Sequence, residues 1–319
     1  MLRLKDKFKN KCALNIMGGP SVLEHHFNLR LIDRNKFVVF LEAKSLTPKF
    51  LEFGLEPDFF MMFFPEKCQT NSFQHVIYQS FLAGIDLSKL LKPQYLEEYD
   101  YLKANFQQYF EAWRPQRGPH KKYKLKELAI LKNSPFGLLP RLPKMPLIAR
   151  SDLLEKHRTI PALNNRQSYL YTVRLMEGDF SLEKYFAPED SNGILTLNSY
   201  GHLNSGAIAL FPLEAYMGFK KIYFIGMDMS MLGSLEYSSL NTFRSSRHFS
   251  RFFKKALPIF NPCFKENKKK FMRPPYEFED LKSIMSYKAI EFVNIYEPFE
   301  FALPLEGIRN ISFKQFLNE

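Results

Sequence analysis

"LNSGAIALFPLEAYMGFKKIYFIGMDMS", Leu203 to Ser230, is the stretch from which the fold is read. Asn204-Ser205-Gly206 opens a helix, and Gly218 ends it in a position that favours left-handed backbone. Pro212 inside that helix predicts a kink, because proline lacks the N–H and crowds the preceding turn. Lys220 to Gly226 then reads as a buried strand, with Gly226-Met227-Asp228 as the turn that follows. A helix leading through glycine into an apolar strand is one half of a parallel α/β unit.

The chain begins with the other half. "NIMGGPSVLEHHF", Asn15 to Phe27, follows the apolar run "CALNIM", Cys12 to Met17. Gly18-Gly19-Pro20-Ser21 is turn chemistry. Ser21 and Glu24 have capping-box spacing, so a helix starts at Ser21. A strand, a glycine turn and a helix N-terminus together present free N–H groups and the positive end of a helix dipole. Such a turn suits a phosphate, and the same residues equally serve an ordinary tight connection.

Between and beyond these stretches the alternation continues. "KFVVFLE", "DFFMMFF", "SYLYTVRL", "GILTL" and "FVNIY" read as strands. Helices are expected from about Ser72 to Ala83, across "YLEEYDYLKANFQQYFEAW" and across "EDLKSIMSYKAIEF". Strands separated by helices predict an α/β fold: a mostly parallel sheet with helices on both faces. Ligands of such sheets bind beyond the C-terminal strand ends, at the point where strand order reverses. The Gly18–Ser21 turn lies at one such end, and the helix start at Asn204-Ser205 faces the same crevice. Two regions depart from the pattern. Residues 114–165 form a basic, proline-rich insertion, and 229–276 form a partly irregular lid. The nucleotide-binding domain is accordingly divided into 1–113 and 166–319, with the insertion between them.

A length of 319 residues supports a sizeable core, and 33 phenylalanines predict a dense one. The net charge of +12 selects acidic partners such as nucleotides, anionic glycans or anionic lipid surfaces. No nucleic-acid motif accompanies that charge, so nucleic acid is not expected as a partner. Cys12, Cys68 and Cys263 are odd in number and widely spaced, which argues against a disulfide framework or a zinc site. The basic N-terminus leads into no long apolar segment, and no run of about 18 apolar residues occurs, so a cytoplasmic protein is expected.

The GxSxG, HExxH, Walker and GxGxxG signatures are absent, which lowers hydrolase, zinc-peptidase, P-loop and dinucleotide readings. His25-His26 is a poor metal clip, since neighbours on a helix point to different faces. His248 stands among Arg244, Arg247 and Arg251. A histidine takes a proton near neutral pH, and arginines beside it hold phosphate or carboxylate. The same stretch also reads as a basic amphipathic helix, with Phe243, Phe249 and Phe252 on one side. Asp58 and Asp228 flank strands and suit either a ribose or magnesium contact, or a turn cap.

"NIMGGPS" and "NSGAIALFPLEAYMGFKKIYFIGMD" together resemble a set of Rossmann-like nucleotide-sugar enzymes. The set includes bacterial sialyltransferases of the Campylobacter lipooligosaccharide type and motility accessory factors, which are flagellin nonulosonate transferases. Archaeal 6-hydroxymethylpterin pyrophosphokinase looks similar in the same two places. The resemblance covers about half the chain. It implies that Gly19 and Ser21 contact the nucleotide phosphate or ribose and that Asn204, Ser205 and Gly206 lie under the cytidine or its phosphate; Gly18, Pro20 and Asp228 beside them complete the expected nucleotide-binding set. It implies a lid histidine as general base and a lid tyrosine beside the departing phosphate, roles for which His248 and Tyr237 stand in the matching region, and the neighbouring Arg244 and Arg247 are expected beside the donor sugar or its phosphate. The first turn departs from the sialyltransferases in having Gly18 where they often place asparagine, and "FLEAKS" lacks their second asparagine.

The expected function is therefore an inverting glycosyltransferase that moves an acidic sugar from a CMP-sugar donor to a glycan, glycolipid or flagellin acceptor. It needs no cofactor and no metal, and it is compatible with peripheral attachment to a membrane face and with a homo-oligomer. Two alternatives stand beside it: a magnesium-dependent pyrophosphokinase using ATP, and a non-enzymatic basic module that binds anions.

Overall fold

The computed structural model describes residues 1–17, 22, 26–41, 56–62, 76–77, 80, 84–113, 145–151, 167–200, 206–227, 242–245, 247–248, 251–252, 255, 281–297 and 304–319. Ten strands within these segments pair into one sheet: β1 (Cys12–Ile16), β2 (Phe37–Leu41), β3 (Phe59–Met62), β4 (Leu147–Arg150), β5 (Ser168–Leu175), β6 (Glu189–Ser191), β7 (Ile194–Ser199), β8 (Lys221–Ile225), β9 (Glu291–Ile295) and β10 (Arg309–Ile311). Their order is β10-β9-β8-β1-β2-β3-β4-β5-β7-β6. Every neighbouring pair is parallel except β6 and β7. The α/β class and the mostly parallel sheet agree with the sequence pattern.

The central strands β1, β2 and β8 are largely apolar because both faces of the sheet are covered there. Leu14 and Ile16 of β1, Val39 and Leu41 of β2, and Tyr223 and Ile225 of β8 enter one core cluster. Ala13, Val38, Phe40, Ile222 and Phe224 enter the other. Four α-helices are bounded among the described residues: α1 (Leu96–Trp113), α2 (Leu182–Tyr185), α3 (Gly206–Tyr216) and α4 (Phe313–Leu317). Tyr99 and Leu102 of α1 and Phe313 and Phe316 of α4 pack on the first face. Tyr185 of α2 and Leu210, Phe211 and Leu213 of α3 pack on the second.

The helix of "NSGAIALFPLEAYMG" continues through Pro212. It ends as expected, with Gly218 at φ +95° and the Phe219 N–H donating to the Glu214 carbonyl at 3.1 Å. The N-terminal segment seals that end: the Asp6 and Phe8 N–H groups donate to the Tyr216 and Met217 carbonyls at 3.0 and 2.9 Å. The helix expected from Ser72 to Ala83 is seen at residues 76–77 and 80, and the Ile85 N–H closes it on the Ser80 carbonyl at 2.7 Å.

Elements absent from the sequence reading include β4, which lies within the span 114–165 and pairs with β3 and β5 in the interior of the sheet. The hairpin between β6 and β7 turns on Asn192 and Gly193, at φ +54° and +74°. Both central residues at positive φ make the tight turn that matches the twist of the flanking strands. Among the described residues no helix is long and apolar enough to cross a membrane.

Candidate functional site

From β1 the chain order runs outward through β2 and β3 in one direction and through β8, β9 and β10 in the other. The reversal falls between β1 and β8, which pair in parallel from Ala13–Ile222 to Ile16–Ile225. Beyond their C-terminal ends the two strands stay in register, with the Met17 N–H donating to the Ile225 carbonyl at 2.9 Å. The chain elements on either side of this point lie on opposite faces of the sheet. Val22, just past the first glycine turn, belongs to one core cluster, and α3, which leads into β8, belongs to the other. Diverging chains of this kind leave a crevice over the strand ends.

Gly226 stands at the C-terminal end of β8, against the end of β1. Its φ is +82°, and a Cβ built on it would meet Val22 Cγ2 at 2.4 Å and the Met17 carbonyl oxygen at 2.6 Å. Only a residue without a side chain lets the turn after β8 lie against the end of β1. The sequence reading includes Gly226 as turn punctuation only. Gly206 is the first residue of α3. Gly18, Gly19, Pro20, Ser21, Asn204, Ser205, Asp228 and Tyr237 lie outside the described residues.

Below the crevice a polar pair crosses the second core. Asn15 of β1 donates from Nδ2 to Glu214 Oε2 of α3 at 3.1 Å, and both residues are fully buried. Asn15 Oδ1 and Glu214 Oε1 have no hydrogen-bond partner among the described residues. Burial pushes the Glu214 carboxyl well above the usual carboxylate range, and the Asn15 hydrogen bond offsets only part of that.

The basic segment 242–255 docks on the first face. Phe243 forms an antiparallel bridge with Leu91. The Lys92 N–H donates to the Thr242 carbonyl and the Arg244 N–H to the Leu90 carbonyl, each at 2.9 Å. Arg244 also donates from Nε to the Leu91 carbonyl at 2.8 Å, so part of its guanidinium anchors the segment. Phe243 and Phe252 are each 1% exposed and join the core cluster that holds Ile16, Val22 and Ile225. Of the expected aromatic side, Phe243 and Phe252 are core and Phe249 lies outside the described residues, while Arg247 is exposed.

His248 has a defined local partner. Its backbone N–H donates to Ser245 Oγ at 3.3 Å, and Nδ1 lies 2.6 Å from the same Oγ. Ser245 is therefore the cap of the helical turn that carries His248, in the S-x-x-H arrangement of a cap whose third residue reaches back. When Nδ1 donates to Ser245, Nε2 is left as a proton acceptor.

Asp58 is not at the crevice. It precedes β3, at the N-terminal ends of the strands, where Oδ2 accepts from the Val39 N–H at 2.7 Å and pairs with Arg34 at 2.7 Å. Its carboxylate ties β2 to β3, a cross-strand contact that is neither the expected turn cap nor a position facing the C-terminal strand ends. Among the described residues no group of three His, Cys, Asp or Glu side chains is placed to hold a metal.

Compared with known proteins, the chain matches no family model, no curated protein and no solved structure. The fold and the residues above are what bear on function.

Proposed function

We propose that the protein is a Rossmann-like, inverting glycosyltransferase that takes an acidic sugar of the sialic acid or nonulosonate type from a CMP-activated donor. One observation carries the reading. The two stretches that resemble nucleotide-sugar enzymes, distant in the chain, are neighbours in the sheet, and their strands β1 and β8 flank the reversal of strand order. The nucleotide lies over the strand ends in this reading, its phosphate facing the backbone N–H groups that follow Met17 and the start of α3. The acceptor is a glycan, glycolipid or flagellin hydroxyl, and 229–276 acts as a lid.

In the reaction an acceptor hydroxyl oxygen bonds to the anomeric carbon as the bond from that carbon to the CMP phosphate oxygen breaks, with inversion. His248 Nε2 takes the hydroxyl proton, with Nδ1 steadied by Ser245. Tyr237, Arg247 and the free part of Arg244 offset the charge gathering on the departing phosphate.

Thermal stability measured against CMP, UDP, ADP and ATP, each with and without magnesium, tests the nucleotide. CMP alone is expected to stabilise, by about 2.7 kcal/mol at a hundred times its dissociation constant. A response confined to ATP with magnesium overturns the transferase in favour of the pyrophosphokinase reading. A second measurement addresses the base. His248→Ala is expected to lower CMP release from a CMP-sugar by roughly 10²–10⁴-fold with CMP binding unchanged. Ser245→Ala is expected to lose about 1 kcal/mol of stability with the cap, and a smaller part of the rate. An unaltered rate in His248→Ala removes the residue from the chemistry.

A further inference from the structure

Lys89, Arg251 and Lys255 have no part in the mechanism above, yet the fold gathers them. They line one cleft of about 440 Å³, with residues 84–86 and 89–90 on one side and 251, 252 and 255 on the other. The size lies within the range of small-molecule sites. No residue of the strand ends at 16–17 or 225–227 lines it. Its walls are fixed by the backbone bonds between 90–92 and 242–244 and by the contact of the Phe243 and Phe252 rings, 5.5 Å apart. Phe252 and Leu90, 1% and 9% exposed, give the cleft an apolar floor.

The charges around this floor do not balance. Lys89, Arg251 and Lys255 are all exposed, and among the described residues no carboxylate forms an ion pair with any of them. Asp86 also lines the cleft; its carboxylate offsets one of the three positive charges and leaves an excess of two, and its Oδ1 is already engaged. It accepts from the Ser88 N–H at 3.0 Å and from the Tyr99 hydroxyl at 2.9 Å. Those bonds, with the charge of Lys103 outside the cleft, hold the Asp86 carboxyl below the usual carboxylate range. Arg251 and Lys255 stand four residues apart, a helical spacing at which like charges repel by a few tenths of a kcal/mol. The arrangement is unfavourable when empty and favourable around an anion of more than one charge.

We propose that this cleft binds a phosphorylated small molecule, with the phosphate held by Lys89, Arg251 and Lys255 and an apolar or ring-bearing body lying on Phe252 and Leu90. A phosphate group carries about −1.5 to −2 charges at neutral pH and three acceptor oxygens, which match three cationic groups. A carboxylate carries one charge and leaves the excess standing.

Phenyl phosphate is the probe, because it joins a phosphate dianion to a ring. Titration calorimetry on the full chain at low salt and neutral pH compares it with benzoate and with inorganic phosphate. Phenyl phosphate is expected to bind at least tenfold more tightly than benzoate, and more tightly than inorganic phosphate, which lacks the ring. The double variant Lys89→Gln/Lys255→Gln is expected to weaken it at least tenfold while unfolding at the parent temperature, since both side chains are exposed. Lys103→Gln, outside the cleft, is expected to bind as the parent does. Benzoate binding as tightly as phenyl phosphate overturns the assignment of phosphate. Binding that survives the double variant, or no binding of phenyl phosphate at millimolar concentration, overturns the site.

Discussion

Gly226→Ala is expected to destabilise the protein by about 3 kcal/mol and to remove stabilisation by any nucleotide that binds over the β1 and β8 strand ends. Two separable effects contribute. Alanine at φ +82° adopts a left-handed backbone, a strain of roughly 1–3 kcal/mol. The new methyl group would also stand 2.6 Å from the Met17 carbonyl oxygen and 2.4 Å from Val22 Cγ2. The first of these is backbone, hydrogen-bonded in register with Ile225 through the Met17 N–H, so relief requires β1 and β8 to part at their ends. That movement displaces the chain leaving both strands. Gly178→Ala supplies the control: its φ is +90°, but nothing lies within 4 Å of a Cβ there. Urea denaturation is expected to show a loss of about 1 kcal/mol in Gly178→Ala from strain alone. Equal losses in the two variants would show that crowding at the strand ends contributes nothing.

The strands flanking this contact are readable because each is a short, largely apolar run, broken in β1 only by Asn15. β1, β2, β8 and β9 are buried on both faces, and that burial is what writes such runs. β4 carries the same information in only four residues after a series of prolines, so the breakers outweighed the run. Two further elements carry local signals. Asn192-Gly193 is a hairpin dipeptide, and Ser312 with Gln315 forms a capping box at the start of α4. Other features have no local signature. Lys89 and Arg251 share a cleft only because 242–244 pairs with 90–92. Ser245 stands three residues before His248, a readable spacing, but hydroxyls are too common for it to have singled out a partner. Glu214 was visible as an acid in an apolar helix. That Asn15 lies opposite it depends on how α3 crosses the sheet, which no spacing encodes.

That buried pair carries the other large effect. Burial raises the Glu214 pKa in the folded protein above the value of roughly 4.3 that a glutamate has in an unfolded chain. Between the unfolded value and the raised folded value the native state holds the extra proton. Unfolding releases it, so stability falls as pH rises through this window, by about 1.4 kcal/mol per pH unit. Below the unfolded value the contribution is complete. Glu214→Gln keeps the shape and the acceptor for Asn15 Nδ2 but cannot ionise. The variant is expected to match the parent near pH 4.5 and to become progressively more stable than the parent toward neutral pH, read as the difference in unfolding free energy across the series. Parallel curves for variant and parent would mean that Glu214 does not change its protonation on folding. Glu214→Met tests the pairing itself. It leaves the buried Asn15 amide without its acceptor and is expected to lose about 1–3 kcal/mol relative to Glu214→Gln. Adding Asn15→Val removes the orphaned amide and is expected to recover most of that loss, since replacing both partners by apolar groups of similar shape is nearly neutral. Failure of the second substitution to rescue the first would show that Asn15 and Glu214 are energetically independent despite their 3.1 Å contact.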